Sequence, residues 1–335
     1  MLCTASNWSH CGPSSFTESF IHVSYNYIGV VSIICTVLVL FLVLTQSSPT
    51  IGNYKYLTAL LLVTLILYDF QLCFSMCPLW VMQRMVCYSL GFADDFGFSA
   101  TTQLILLVAT ILQMESAMFA CISYRHQAIL PHGDPLKIKH RHGWVVPAIL
   151  YDLWMTAYMF SLRASFVDIS EVAEKEPDLI WAYSKRSFCY RPARAEAVQV
   201  WAIIHLLFGV AAALGVVWFC FWHMTRAIRS TRSVVSTVTR RQQQKAIQAL
   251  SLQCSVKVGT LSLALVAQTA GSFVGPIDYN YSSLAMLLFC PNSFATCTAI
   301  LYSTGDYRRF LARRFFPNNK RSSLVSFSQH IQVIR

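Results

Sequence analysis

The chain has 335 residues, 55% of them hydrophobic and only 12% charged, with a formal net charge of +11. A soluble domain carries about 25% charged residues to solvate its surface, so half that share excludes an ordinary water-soluble globule and implies that lipid covers much of this one. Length alone would accommodate two soluble domains, but the chain has no Pro-, Gly- or Ser-rich linker and no internal repeat, which points to one membrane bundle.

In chain order, residues 1–24 are mostly polar and contain no Lys or Arg, so they lack the basic start of a cleaved signal peptide. They are expected to form an extracellular N-terminus, with the first span as an uncleaved anchor. A membrane helix needs roughly 20 largely apolar residues. Seven such runs follow: Tyr25–Thr45, Tyr56–Met82, Gly97–Ser123, Gly143–Leu162, Val198–Met224, Ala246–Gly275 and Ser282–Ser303. The first, fifth and seventh hold no charged residue, whereas the sixth contains Gln253, Lys257 and Gln268. The fold class is therefore all-α, a polytopic seven-helix bundle over residues 25–303. Residues 304–335 form a tail, in which Tyr307, Phe310, Leu311 and Phe315 approximate one helical face beside basic residues. That composition suits a short amphipathic helix on a lipid surface.

Orientation follows from Lys and Arg, because basic loops stay in the cytoplasm. With the N-terminus outside, 18 of the 26 basic residues fall in inner segments. The long outer loop instead holds Asp168, Glu171, Glu174, Glu176, Asp178 and Glu196. The basic inner face suits anionic lipid or an acidic cytosolic partner. Two glycosylation sequons, at Asn7 and Asn280, fall outside in this topology.

Most of the 12 cysteines lie within spans and read as small apolar packing residues. Cys73 and Cys77 are one helical turn apart, but no His or acid completes a metal set. Cys3, Cys11, Cys87 and Cys189 lie on the outer side, where oxidising conditions allow disulfides. A Cys87–Cys189 bridge would pin the long loop over the mouth of the bundle, with Cys3–Cys11 as its companion. His126, His132, His140 and His142 share one inner loop and read as solvated residues. No nucleophile elbow, phosphate loop or zinc-protease motif appears, so neither an enzyme nor a cofactor is expected. No nucleic-acid partner is expected either.

The third span ends in Cys121-Ile122-Ser123-Tyr124-Arg125-His126-Gln127-Ala128-Ile129. A seven-span chain with Arg in a short polar triplet at this place resembles a G-protein-coupled receptor, with Tyr124-Arg125-His126 standing where such receptors carry an acid-Arg-aromatic triplet. The wording is closer still to the nematode serpentine chemoreceptors of the Str superfamily, in the Srh, Sri and Srd-like classes. Tyr88-Ser89-Leu90-Gly91-Phe92 resembles their Tyr-Pro-Leu-Gly element, with Ser89 in place of proline. Tyr124 to Ile129 resembles their Arg-His-Gln-Ala stretch, and Leu252-Gln253 and Tyr307-Arg308 also fit. The resemblance runs from about Tyr25 to Phe316. The chain departs from the wider receptor pattern by lacking a proline kink in the sixth span and an Asn-Pro-x-x-Tyr in the seventh. Lys257 stands where the nematode family has proline.

The resemblance implies a receptor that binds an external small molecule and activates a heterotrimeric G protein in a sensory-cell plasma membrane. A receptor dimer is compatible with it. Coupling would rest on Arg125 with Tyr124 and His126, and on Arg226, Arg229, Arg240, Arg241 and Lys245 of the third inner loop. Ligand candidates between the outer helix halves are Trp80, Phe98, Gln103, Tyr158 and Phe273. A charge within the bilayer is costly and marks function by default, and Asp69, Glu115, Asp152 and Lys257 are the four here. At 1.5 Å per residue, Lys257 and Glu115 lie roughly 16 and 12 Å from the inner helix ends. Helices three and six are inner neighbours in the receptor fold, so Glu115–Lys257 is the expected ion pair, with Asp69 the third member of an intramembrane switch.

Competing readings are a ligand-gated channel of inverted topology and a transporter. The charge bias opposes inversion, and transporters usually show repeated halves. A receptor-like protein that has lost coupling stays open because of Lys257.

Overall fold

The structure is a computed structural model that describes residues 13–47, 52–81, 86–131, 133–138, 143, 145–146, 149–150, 152–154, 157, 166–168, 180–183, 185, 187–190, 214–230, 236–273 and 279–315.

Helix α1 spans Ser15–Gln46 and starts ten residues before the expected span. Its start is set by Ser14, whose hydroxyl accepts from the Thr17 amide at 3.1 Å, with Glu18 favourably placed in the first turn. Its 32 residues are about 48 Å long, against a hydrocarbon core of about 30 Å, so the helix projects from the membrane. Ile21, Tyr25, Ser32, Thr36 and Val39 face the protein, while Phe20, Tyr27, Ile34 and Phe41 lie on the exposed face. That division is the amphipathicity of a helix with lipid on one side.

Helix α2 runs Tyr54–Phe70 and continues as a π turn over Gln71–Met76. The expected second span, Tyr56–Met82, therefore ends six residues early. Cys77 turns the chain at φ 42°, a left-handed conformation that non-glycine residues rarely adopt, and strand β1 (Pro78–Val81) follows. Gly29 of α1 lets this turn approach, since a Cβ there would lie 2.5 Å from the Cys73 Cβ.

β1 pairs antiparallel with β2 (Val86–Ser89). Strands β3 (Phe166–Asp168) and β4 (Phe188–Tyr190), which flank the short helix α4 (Ile180–Tyr183), complete a four-stranded sheet of order β1-β2-β4-β3. Hydropathy gave no sign of this sheet. It caps one end of the bundle, called the sheet end below. Gly91 follows β2, and a side chain there would overlap the Ser75 carbonyl.

Helix α3 (Ala100–Ile129) is capped by Ser99 and continues six residues past its expected end, so the polar triplet lies on its last turns, at the opposite, triplet end. Helix α5 covers residues 214–230. Helix α6 (Thr237–Phe273) has 37 residues, about 56 Å. The last expected span is broken: α7 (Tyr279–Ala285) and a 3-10 turn (Met286–Phe289) precede α8 (Asn292–Ser303), which begins after Pro291. Helix α9 (Gly305–Phe315) follows at once, held to the end of α1 by Tyr307 and Ser47 hydroxyls 2.7 Å apart.

Among the described residues, four stretches are long and apolar enough to cross a membrane: Ser15–Gln46, Tyr54–Met76, Ala100–Ile129 and Ser283–Ser303. Helix α6 is long enough but more polar. Much of the expected fourth and fifth spans lies outside the described residues. The core forms where α2 packs on α1 and α3 and where α8 packs on α6 and α1. Tyr25, Leu61, Leu65, Tyr68, Met76 and Met114 are fully buried there.

Candidate functional site

At the triplet end, Arg125 turns its guanidinium onto the face of Tyr54, the first residue of α2, 3.8 Å from the ring centroid. The Tyr124 ring lies 6.1 Å from the same ring. Beside them opens a cavity of about 400 Å³ lined by Lys55, Arg125, Lys245, Gln253, Ser303 and Asp306, among others. Three cations face one carboxylate there, which favours an anionic or acidic occupant. Of the five basic residues expected from the inner loop, Lys245 lines this cavity. Arg226, Arg229 and Arg241 are exposed, and Arg226 stacks on Trp222 at 5.5 Å. Arg240 is half-buried on the first turn of α6.

His126 corrects the expectation of a solvated loop histidine. Because α3 continues past Ser123, His126 is helical and only 6% exposed. Its Nε2 lies 3.0 Å from Nδ1 of His223 on α5, whose Nε2 is 3.6 Å from Asp134. Gln127 fixes the proton positions. Its carbonyl oxygen accepts from the Ile138 amide and its amide nitrogen donates to Leu136 O and to His126 Nδ1. His126 therefore carries its proton on Nε2 and donates to His223. His132, His140 and His142 lie outside the described residues.

Deeper in the bundle, the expected ion pair is present: Lys257 Nζ is 3.3 Å from Glu115 Oε1. Lys257 is 2% exposed and its ammonium also donates to the Met114 carbonyl at 3.3 Å, whereas the Glu115 side chain is 35% exposed. Asp69 does not join this pair. It is buried between α2 and α8, where the Ser293 hydroxyl donates to one carboxylate oxygen at 2.7 Å. Asp152 accepts from Ser116. Sequence reasoning missed Asn292, which accepts from Thr260 of α6 at 2.8 Å and lies 3.6 Å from the Met114 sulfur of α3. The signal was available, since Pro291-Asn292-Ser293 interrupts an apolar span.

The sheet end does not assemble the expected ligand set. Gln103 is fully buried, but its amide donates to Phe98 O at 2.9 Å and accepts from Ser89 at 2.7 Å, while its backbone carbonyl accepts from Gln71. It ties β2, α2 and α3 together. Trp80 lies on β1 rather than on a helix, because α2 ends early, and Phe98 precedes the cap of α3 and is exposed. Tyr158 and the side chain of Phe273 lie outside the described residues.

The expected Cys87–Cys189 bridge is not formed. Cys87 is a free, buried thiol, and the register sets Cys87 opposite Phe188 and Cys189 opposite Val86, one place apart. Burial holds the Cys87 thiol well above its usual range. Asn280 sits in helix α7 with its side-chain oxygen accepting from Thr17 at 2.7 Å, unlike a free loop sequon. Asn7 lies outside the described residues. Sequence reasoning also missed Glu18, which accepts from Tyr88 at 2.7 Å and pairs with Lys185 at 2.9 Å, joining α1 to the sheet end. Burial, followed by its bond to Glu18, raises the Tyr88 phenol well above its usual range.

A bundle of long apolar helices, with an arginine triplet closing the third and a short amphipathic helix after the last, is the fold of the rhodopsin-like seven-transmembrane receptors. Squid rhodopsin superposes with a TM-score of 0.61 at 11% identity, covering 91% of this chain and 87% of its own. No curated protein matches the sequence. A family model, the serpentine type 7TM GPCR chemoreceptor Sri, matches residues 15–311, and the chain belongs to that family. The match begins where α1 begins, ten residues before the resemblance read from the motifs.

Proposed function

We propose that this protein is a chemosensory receptor that takes a small molecule from the outside and activates a heterotrimeric G protein at its triplet end. The cationic cavity around Arg125 carries the reading, because it offers a partner three positive side chains at the membrane boundary. The Lys and Arg bias supports a cytoplasmic triplet end and an extracellular sheet end. On this reading Arg125 and Lys245 meet the G protein directly, with Tyr124 and His126 supporting them, and Arg226, Arg229, Arg240 and Arg241 attract it electrostatically. The Glu115–Lys257 pair spans α3 and α6, the helices bordering the cavity on either side, and holds them together in the resting state. A ligand shifts this state only through unequal affinity for the closed and open forms.

The test is nucleotide exchange on a G protein in membranes containing the receptor, with and without a mixed panel of small odorants. Ligand-dependent exchange is expected. A ligand-evoked membrane current without exchange would overturn the reading in favour of a channel.

A further inference from the structure

The triplet Tyr124-Arg125-His126 contains no acid, and among the described residues no carboxylate pairs with Arg125. The guanidinium is nevertheless held in one place. It lies 3.8 Å from the centroid of Tyr54, well inside the roughly 6 Å within which a cation is attracted to a ring face. Tyr54 itself is held. It is packed against the core cluster, and its backbone carbonyl accepts from Thr58 at 3.1 Å in the first turn of α2. The Tyr124 ring borders it from α3, 6.1 Å away. Tyr54 and Arg125 both line the cavity, so a guanidinium leaving the ring would enter the space a partner would fill.

We propose that Tyr54 is a positioning residue for Arg125: its ring face restrains the guanidinium at rest, through a cation–π contact in place of an ion pair, and activation releases Arg125 into the cavity. The proposal rests on the coupling role of Arg125 given above. A ring restrains a cation through its quadrupole rather than a charge. The restraint therefore does not titrate with a carboxylate, and it weakens as electron density is drawn from the ring.

That dependence separates an electronic role from a packing role. Full-length receptor carrying Tyr54→Phe, phenylalanines with one to three ring fluorines at position 54, or Tyr54→Leu would be compared in lipid membranes. Two readouts would be taken: basal nucleotide exchange, and the α3–α6 distance by electron-resonance spectroscopy between labels at the exposed positions Ala128 and Gln244. The distance readout needs no G protein.

Tyr54→Phe keeps the ring face but loses the hydroxyl, which also hydrogen-bonds with Arg125, so it is the reference for the fluorinated series and should stay less open than Tyr54→Leu. Fluorination should then raise basal exchange and the open-distance population stepwise, reaching about two- to thirty-fold in Tyr54→Leu, the range spanned by cation–π contacts. A distance that follows the series while exchange stays absent would support the restraint and defeat only the coupling reading. A distance that ignores fluorination, or a Phe variant as open as the Leu variant, would overturn the proposal.

Discussion

Neutralising the two members of the Glu115–Lys257 pair should destabilise the receptor unequally. Lys257 is 2% exposed, and its ammonium lies 3.3 Å from a carboxylate whose side chain is 35% exposed. Glu115→Gln strands a buried ammonium beside the Met114 carbonyl, and breaking a buried pair from one side costs about 3–5 kcal/mol. Lys257→Met leaves behind the partly exposed carboxylate and should cost less. The double variant strands no charge, so it should be more stable than Glu115→Gln. Thermal unfolding in detergent measures this, with basal exchange as a companion reading. A Glu115→Gln variant at least as stable as Lys257→Met, or a double variant no more stable than Glu115→Gln, would refute the reasoning.

At the sheet end, Gln103→Leu takes its partner from the Phe98 carbonyl, while the Ser89 hydroxyl keeps the Met76 carbonyl as acceptor, so it should cost about 1–3 kcal/mol, read as lost surface expression and a lower melting temperature. Gly91→Ala should abolish folded receptor, because its new methyl group meets the Ser75 backbone. Ligand-stabilised unfolding assays should find no melting transition. Lys185→Met breaks a pair whose lysine is 40% exposed and should shift stability by about 1 kcal/mol or less, with the small effect vanishing at high salt.

The spans were legible because lipid demands continuous apolar runs, which is why α1, α3 and the last membrane segment appear where hydropathy placed them. Their ends were less legible. Helix α1 begins at Ser15 because Ser14 caps it, a polar signal hidden in a segment read as tail. The early end of α2 and the left-handed Cys77 lead straight into the β1–β2 hairpin, and strands of three or four residues leave no periodicity to detect. The Glu115–Lys257 pair was legible because a charge in lipid must find an opposite charge. Tyr54 under Arg125 was not, since a tyrosine opening a helix has no reason in sequence to face an arginine some seventy positions away. His126 was misread for a simpler reason: α3 was ended three residues too soon to carry it onto the α5 side.

The most direct test of the coupling claim compares ligand-stimulated nucleotide exchange in Arg125→Ala and Arg229→Ala receptors at matched surface expression. Arg125 lines the cavity, and Arg229 is exposed on α5 away from it. Exchange should fall to background in Arg125→Ala and drop only modestly in Arg229→Ala. Equal exchange in the wild type and Arg125→Ala would contradict a G-protein site at the triplet end.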